Sequence, residues 1–388
     1  MNEYSNDFGP EPLRIGIVLN YKKAEKKKDE LLNIRSKSMK WLISSNNDKY
    51  KNFLIEMKNK KFIPDDVAVG VFVENFYDNV FVDYITPDEI STSRFKKNHI
   101  NFIIIYDLLE AFHLSDKTKY HKFKNALKKS NNVYPPYEYQ KFINNKCNYY
   151  KYLANKNIPV APTYCITSEK LYQRDPNRFV DRLIKKIKVN KWEAVIAKPA
   201  YGQESIDFAK FPKCDNSKNL SCRKNQLVKY LDKKIPKYKT IVMQEYIPGF
   251  DKNNPEIRTF YINGHYRYSI ITHSRTDGIQ PIQEGGTYKM PDKNYKYVRK
   301  LSQHVMDSLP KLDLPGMLRN PIVTRIDIGS GLTGVPMGYF VNEVEFVPSL
   351  YIEQINTRKY PIIEEIATGL VLAGNEYAAR NEPIGTIF

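Results

Sequence analysis

Apolar positions along this chain fall into two patterns, short β-branched runs and longer stretches with helical spacing. RIGIVLNY (14–21) reads as a buried first strand. DVAVGVFVENF (66–76) and HINFIIIYDLL (99–109) read as two more, separated by the turn-like ITPDE. Between the first two lies a lysine-rich segment, 22–61. Its apolar residues (Leu31, Leu32, Ile34, Met39, Trp41, Leu42, Phe53, Leu54 and Met57) recur at helical intervals with polar faces between them. Strands alternating with helical stretches over the first 135 residues predict a small parallel α/β layer. NNVYPPYEY, near 131–139, reads as the linker that closes it.

The pattern then changes. A helix over roughly 139–156 stops at Asn157, and IPVAPTYCI follows as an extended, Pro-punctuated edge. A helical PNRFVDRLIKKIK leads to the strand EAVIAKPA and the turn YGQES; a helical KYLDKKI leads to the strand TIVMQEYI and the breaker PGFD. EIRTFYI and HYRYSIITHS form a hairpin across Asn263-Gly264, a pair suited to a tight turn with positive φ. A helix is expected around 295–309, a hairpin over Ile322–Ser349, and a closing helix in TRKYPIIEEIATGLVLAGNEYA.

The last hairpin carries the chemistry. Ile322, Val323, Ile326 and Ile328 form one apolar strand, and Tyr339, Phe340, Val341, Val344 and Phe346 the other. Glu343 and Glu345 are two residues apart and share a face; Asp327 on the facing strand can join them. Three carboxylates that close repel one another unless a cation lies among them, and Mg²⁺ takes such oxygen ligands. Arg325, two residues before Asp327, shares its face, so the cleft suggests phosphate chemistry. A solvated face laced with ion pairs is the alternative reading of these residues alone.

Composition narrows the picture. With 388 residues, 41% of them hydrophobic, the chain is globular and long enough for two or three domains. No apolar run reaches membrane-spanning length, and the acidic, polar MNEYSNDFGPEP is not an ordinary signal peptide. The formal charge of +18 favours an anionic partner, but the lysines are dispersed and no nucleic-acid-reading motif accompanies them. The four cysteines (Cys147, Cys165, Cys214, Cys222) have no CxxC spacing and are expected to be reduced, in a cytoplasmic setting.

The order of parts from 139 to 375 resembles the ATP-grasp superfamily: IPVAPT after a Lys-bearing helix, a Lys-Pro strand, a QEYI strand, an E-x-R hairpin and a final R-x-D…N-E-x-E hairpin. The resemblance implies a Rossmann-like, pre-ATP-grasp α/β domain over 1–136, a first ATP-grasp subdomain over 137–248, and a second, with the metal-binding hairpin, over 249–388. It implies an ATP-dependent ligase that phosphorylates a carboxylate and joins the acyl phosphate to an amine or thiol. Two Mg²⁺ ions are implied, bound by Asp327, Glu343 and Glu345; the family's third ligand is usually Asn, and Glu345 adds a charge there. Lys146 and Lys198 match the lysines that reach ATP phosphates. Gln244, Glu245, Tyr246 and Ile247 match the strand that reads adenine, and Asp251 or Glu256 the acid on the ribose. Arg258, Arg275 and Arg325 match the arginines that hold phosphate or substrate carboxylate, and Gly285-Gly286 the loop after them. Tyr201–Ser205 stands where the family has a glycine-rich flap, with one Gly only.

Several motifs are decoys. GSGLTG (329–334) fits a dinucleotide fingerprint, but Val335-Pro336 and a strand follow it, not a helix. Asp7-Phe8-Gly9 is a literal DFG at the wrong end of the chain, and no P-loop exists. No general base stands out; His265 and His273 read as solvated strand residues. Two further functions stay open: an ATP-grasp kinase of a polyanionic small molecule, which the basic charge favours, and a non-catalytic nucleotide-binding protein, for which the Gly-poor flap leaves room. Neither the acceptor nor the oligomeric state is written in any motif.

Overall fold

The computed structural model describes residues 11–19, 65–86, 88–103, 117–167, 169–202, 207–211, 220–248, 255–272, 279–281, 290–346, 348, 350–351, 361–380 and 386–387. The expected helices of 22–61 lie outside these residues. So do Asp251, His273, Arg275 and Gly285-Gly286.

The N-terminal layer is a four-stranded parallel sheet. Its strands are β1 (Leu13–Val18), β2 (Val80–Ile85), β3 (Ile100–Phe102) and β4 (Val133–Tyr134), in the order β2-β1-β3-β4. The parallel layer is therefore present, with two corrections. Residues 65–76 form a helix, α1 (Asp65–Phe76), and the strand is the less apolar VFVDYI of β2. α1 buries Val69, Val71 and Val73 together in one core; residues apolar on nearly every side satisfy a buried helix as well as a buried strand. The second correction concerns 131–139. It is not a linker: Val133 and Tyr134 pair into the sheet after helix α2 (Lys117–Lys129), and helix α3 begins at Tyr137.

The single helix expected over 139–156 is two, α3 (Tyr137–Asn144) and α4 (Lys146–Asn155). They are broken at Asn145, whose backbone is extended and whose side chain caps α4 by accepting from the Cys147 N–H at 3.1 Å. The helix pair ends as expected at Asn157, in the left-handed region at φ 57°.

Next comes a small antiparallel sheet of order β5-β8-β6-β7: β5 (Thr163–Ile166), β6 (Val195–Pro199), β7 (Ala209–Phe211) and β8 (Ile241–Glu245). Helices α5 (Pro176–Val189) and α6 (Leu220–Tyr238) cover it. Leu183, Ile187, Val195, Leu227, Leu231 and Met243 fill a core of its own.

The third sheet is also antiparallel, of order β11-β10-β9-β13-β14. It contains β9 (Glu256–Ile262), β10 (His265–Thr272) and β11 (Ile279–Pro281). Helix α7 (Asp292–Ser308) and β12 (Lys311–Leu312) intervene before β13 (Val323–Gly329) and β14 (Phe340–Glu345). Asn263 and Gly264 both take positive φ, 51° and 79°, in the β9–β10 turn. The GSGLTG loop is likewise a hairpin connection: a Cβ on Gly331 would meet the Pro248 carbonyl oxygen at 3.0 Å.

Helix α8 (Ile362–Arg380) returns the chain to the N-terminal layer, where the Tyr77 and Thr368 hydroxyls meet at 2.7 Å. One continuous core therefore runs from β1 through α8 to β13. A two-residue strand, β15 (Thr386–Ile387), pairs with β12. No helix among the described residues is long and apolar enough to cross a membrane.

Candidate active site

The β13–β14 hairpin does what its sequence pattern predicts. Arg325 pairs with Glu345 and Asp327 with Glu343 across the two strands. On the other side, Asp327 faces Arg258 of β9. The register shifts only after Asp327, so the three acids lie on the regular part of the ladder. One carboxylate oxygen from each of Asp327, Glu343 and Glu345 lies within 4.8 Å of the others.

Each acid has a cation. Arg325 grips Asp327 with both prongs, Nε to Oδ1 and Nη2 to Oδ2 at 2.8 Å each, and Nη2 also reaches Glu345 Oε1 at 2.6 Å. This fork matches carboxylate geometry in a way a lysine could not. Lys146, at the first turn of α4 and only 6% exposed, ion-pairs with Glu343 at 2.9 Å and donates to the Gly202 carbonyl at 2.7 Å. Arg258 binds Glu256, Nε to Oε2 at 3.1 Å, and lies 3.9 Å from Asp327. Glu256 also accepts from Asn342 Nδ2 at 2.8 Å and Thr272 Oγ1 at 3.3 Å. Lys198 of β6 donates to the Tyr150 hydroxyl at 3.1 Å, and Tyr150 donates to the Asn342 carbonyl at 2.6 Å.

Electrostatics divide the acids. Burial works to raise Glu343, but Lys146, Lys198 and Arg325 outweigh it and bring its pKa down to about 2. Glu345 goes the other way. Burial, with Glu343 and Asp327 as like-charged neighbours, outweighs Arg325 and pushes it up to about 7. Burial and Asp327 also raise Glu256. Like charges brought together in a partly dry site cannot all ionise at once.

The donor set suits a hard cation, since three carboxylates supply oxygen only and stand close enough to share an ion. The residues expected to read adenine have these surroundings. Gln244 is buried and donates to Thr163 Oγ1 at 2.9 Å. The N–H groups of Glu245 and Tyr246 are engaged by the Pro162 and Ala194 carbonyls at 2.9 Å each. Ile247 packs with Ala161, Leu332 and Phe340 in a small apolar cluster of its own. Of Tyr201–Ser205, Tyr201 and Gly202 are among the described residues, and the Gly202 carbonyl accepts from Lys146. His265 is exposed on β10, away from these contacts.

Two residues of the cluster escape sequence reasoning: Tyr150, and Tyr351, whose hydroxyl accepts from Arg258 Nη1. Tyr150 stands one helical turn after Lys146, on the same face, which is the one signal that could have found it. The cysteine expectation is overturned for one pair. Cys147 and Cys165 form a disulfide, with Cα atoms 6.0 Å apart, joining α4 to β5. Their spacing of 18 residues hides this, because only the reversal of the chain between α4 and β5 brings them together.

No protein-family model matches the sequence, and no curated protein matches it. Solved structures do match in fold. D-cycloserine synthetase DcsG superposes with a TM-score of 0.56 at 12% identity, over 92% of this chain and 99% of that one. D-alanyl-alanine synthetase A from Vibrio cholerae gives 0.54 at 11% identity, over 95% and 100%. D-alanine–D-alanine ligase from Bacillus anthracis, in a complex with ATP, gives 0.52 at 12%, over 94% and 99%. The chain thus has the fold of the ATP-grasp ligases, as its motif order indicates.

Proposed function

We propose that this protein is an ATP-dependent ligase that converts a substrate carboxylate to an acyl phosphate and joins it to an amine or thiol. The observation that carries the proposal is the convergence of Asp327, Glu343 and Glu345 within 4.8 Å, bracketed by Arg325, Arg258 and Lys146. In this reading, 1–136 is a Rossmann-like domain, 137–248 the first ATP-grasp subdomain and 249–388 the second. ATP lies between the last two, with its adenine against Gln244, Glu245, Tyr246 and Ile247 and its ribose on Glu256 or Asp251. With the Glu245 and Tyr246 N–H groups engaged elsewhere, the adenine edge is left to the carbonyls of this strand and to Ile247.

The residues act by changing partners. Lys146 and Lys198 leave Glu343 and Tyr150 and turn to phosphate oxygens, and Glu343 becomes free for metal. Bound Mg²⁺ would neutralise and orient the phosphates. A carboxylate oxygen of the substrate attacks the γ-phosphorus and ADP leaves. The amine or thiol then attacks the acyl carbon and phosphate leaves, with loss of one proton. Arg325, Arg258 and Arg275 hold the anions through both steps, and no enzyme nucleophile is used.

The test is a thermal-shift titration with ATP, with and without Mg²⁺, on the wild type and Asp327→Asn, each against its own unliganded midpoint. A Mg²⁺-dependent rise in the wild type that the variant lacks is expected. No shift in the wild type under any condition would overturn the reading. The net charge of +18 supports a second one, a kinase of a polyanionic small molecule. It is separated by the product, since a kinase leaves phosphate stably on the acceptor.

A further inference from the structure

Tyr351 holds a backbone conformation that a bulky aromatic residue avoids, with φ 53°. Such strain persists only where the surroundings impose it. They do so here. The Tyr268 hydroxyl donates to the Leu350 carbonyl at 2.5 Å and fixes the peptide just before it. Tyr268 is itself stacked on Phe260, centroids 4.4 Å apart, and Phe260 meets the Tyr351 ring edge-on at 6.2 Å. The result is that the phenol oxygen is delivered to Arg258, whose Nη1 donates to it. The Arg258 guanidinium lies 5.7 Å from the ring centroid, and Tyr351 is also among the groups that raise Arg325.

The hydroxyl therefore accepts from a cation, which polarises its own O–H. Among the described residues nothing accepts that hydrogen. A polarised donor of this kind, half-buried beside two arginines and aimed by strained backbone, fits an oxyanion.

Building on the ligase reading above, we infer that Tyr351 is a substrate-contacting residue, the third donor, with Arg258 and Arg325, of a subsite for a phosphoryl or carboxylate oxygen. The strain is the cost of holding the phenol there. Tyr351→Phe removes the donor and keeps the ring, the packing on Phe260 and the backbone.

Calorimetric titration of the whole chain with MgADP, alone and with tetrafluoroaluminate as a mimic of the transferring phosphoryl group, tests this. MgADP alone should bind wild type and Tyr351→Phe equally. The fluoroaluminate complex should bind the variant roughly ten- to a hundredfold more weakly, the effect of one hydrogen bond to a charged group. A second arm replaces fluoroaluminate with malonate, a carboxylate without phosphoryl geometry. Loss in the first arm only assigns the donor to phosphoryl oxygen, and loss in the second only assigns it to a substrate carboxylate. Equal binding by both proteins in both arms, or a wild type that takes MgADP but neither probe, overturns the subsite. A wild type that takes no MgADP overturns the nucleotide reading itself. A merely structural Tyr351 would leave probe binding at the wild-type level in Tyr351→Phe, which keeps the ring and its packing. Tyr351→Gly, which removes phenol and ring together, should lose at least as much, and wild-type probe binding in either variant would overturn the contact.

Discussion

Lys146 and Glu343 show how much one pair can decide. Lys146 is almost wholly buried, ion-pairs with Glu343 and donates to the Gly202 carbonyl. Glu343→Gln keeps the shape but removes the carboxylate charge that faces this ammonium. It should destabilise the fold by about 1–3 kcal/mol, read from denaturant midpoints, and remove Mg²⁺-dependent ATP turnover. Full turnover in this variant would sink the metal assignment. Glu345 makes a prediction of opposite sign in pH. Its pKa is raised from 4.5 to about 7, so its contribution to stability falls as pH climbs through that window; Glu343, lowered to about 2, contributes above its unfolded value and loses it in acid. The stability of Glu345→Gln relative to wild type should therefore improve from pH 5 to pH 8. Wild-type affinity for Mg²⁺ should rise over the same range, because the proton and the ion compete for one carboxylate. A thermal-shift series against pH, with and without Mg²⁺, measures both.

Among the elements, the disulfide is the least expected. It ties α4, whose first residue is Lys146, to β5 at the edge of the small sheet. Closing a loop of this length removes about 3 kcal/mol of freedom from the unfolded chain. Cys165→Ser, or a thiol reductant added to the wild type, should lower stability by about that amount, and the reductant should leave the variant unchanged. Strand and helix signals were legible where one face was apolar and the other polar: β9, β10, β13, β14, α5 and α7 lie where their periodicity puts them. They were not legible in α1, where burial on nearly all sides erases the period that separates helix from strand. Nor were they in β4, two residues long, which pairs only because β3 offers it an edge. The Asn263-Gly264 turn was readable because only residues at ease with positive φ can occupy it.

In the whole molecule, two cores behave as two units. The larger joins the parallel layer, α8 and the β9–β13–β14 sheet; the smaller belongs to the β5-β8-β6-β7 sheet and its helices. Leu370, buried in the first, and Leu231, buried in the second, are matched probes. Each Leu→Ala should cost about 2–5 kcal/mol, but of different units. Hydrogen exchange should quicken throughout β1, β9 and β13 for Leu370→Ala, and only over 163–245 for Leu231→Ala. Equal quickening everywhere in both would merge the two units into one. This division also explains what the sequence could and could not tell about the site. The acids and Arg325 share one hairpin and could be read from period-two alternation. Lys146, Tyr150 and Tyr351 arrive from other elements of the larger core and Lys198 from the smaller sheet, and how these elements pack together is encoded by no local pattern.

The ion pair between Lys146 and Glu343 ties the two ligands of the proposed site to each other. Metal arriving alone must take Glu343 from a buried lysine, and nucleotide arriving alone must take Lys146 from the carboxylate it pairs with. Together, each ligand supplies the partner that the other displaces. The two affinities are therefore coupled by one free energy, and that coupling is the same in either order of addition. A double titration should find ATP and Mg²⁺ each strengthening the other by more than their association in solution accounts for, and Glu343→Gln, which has no carboxylate to release, should abolish the excess.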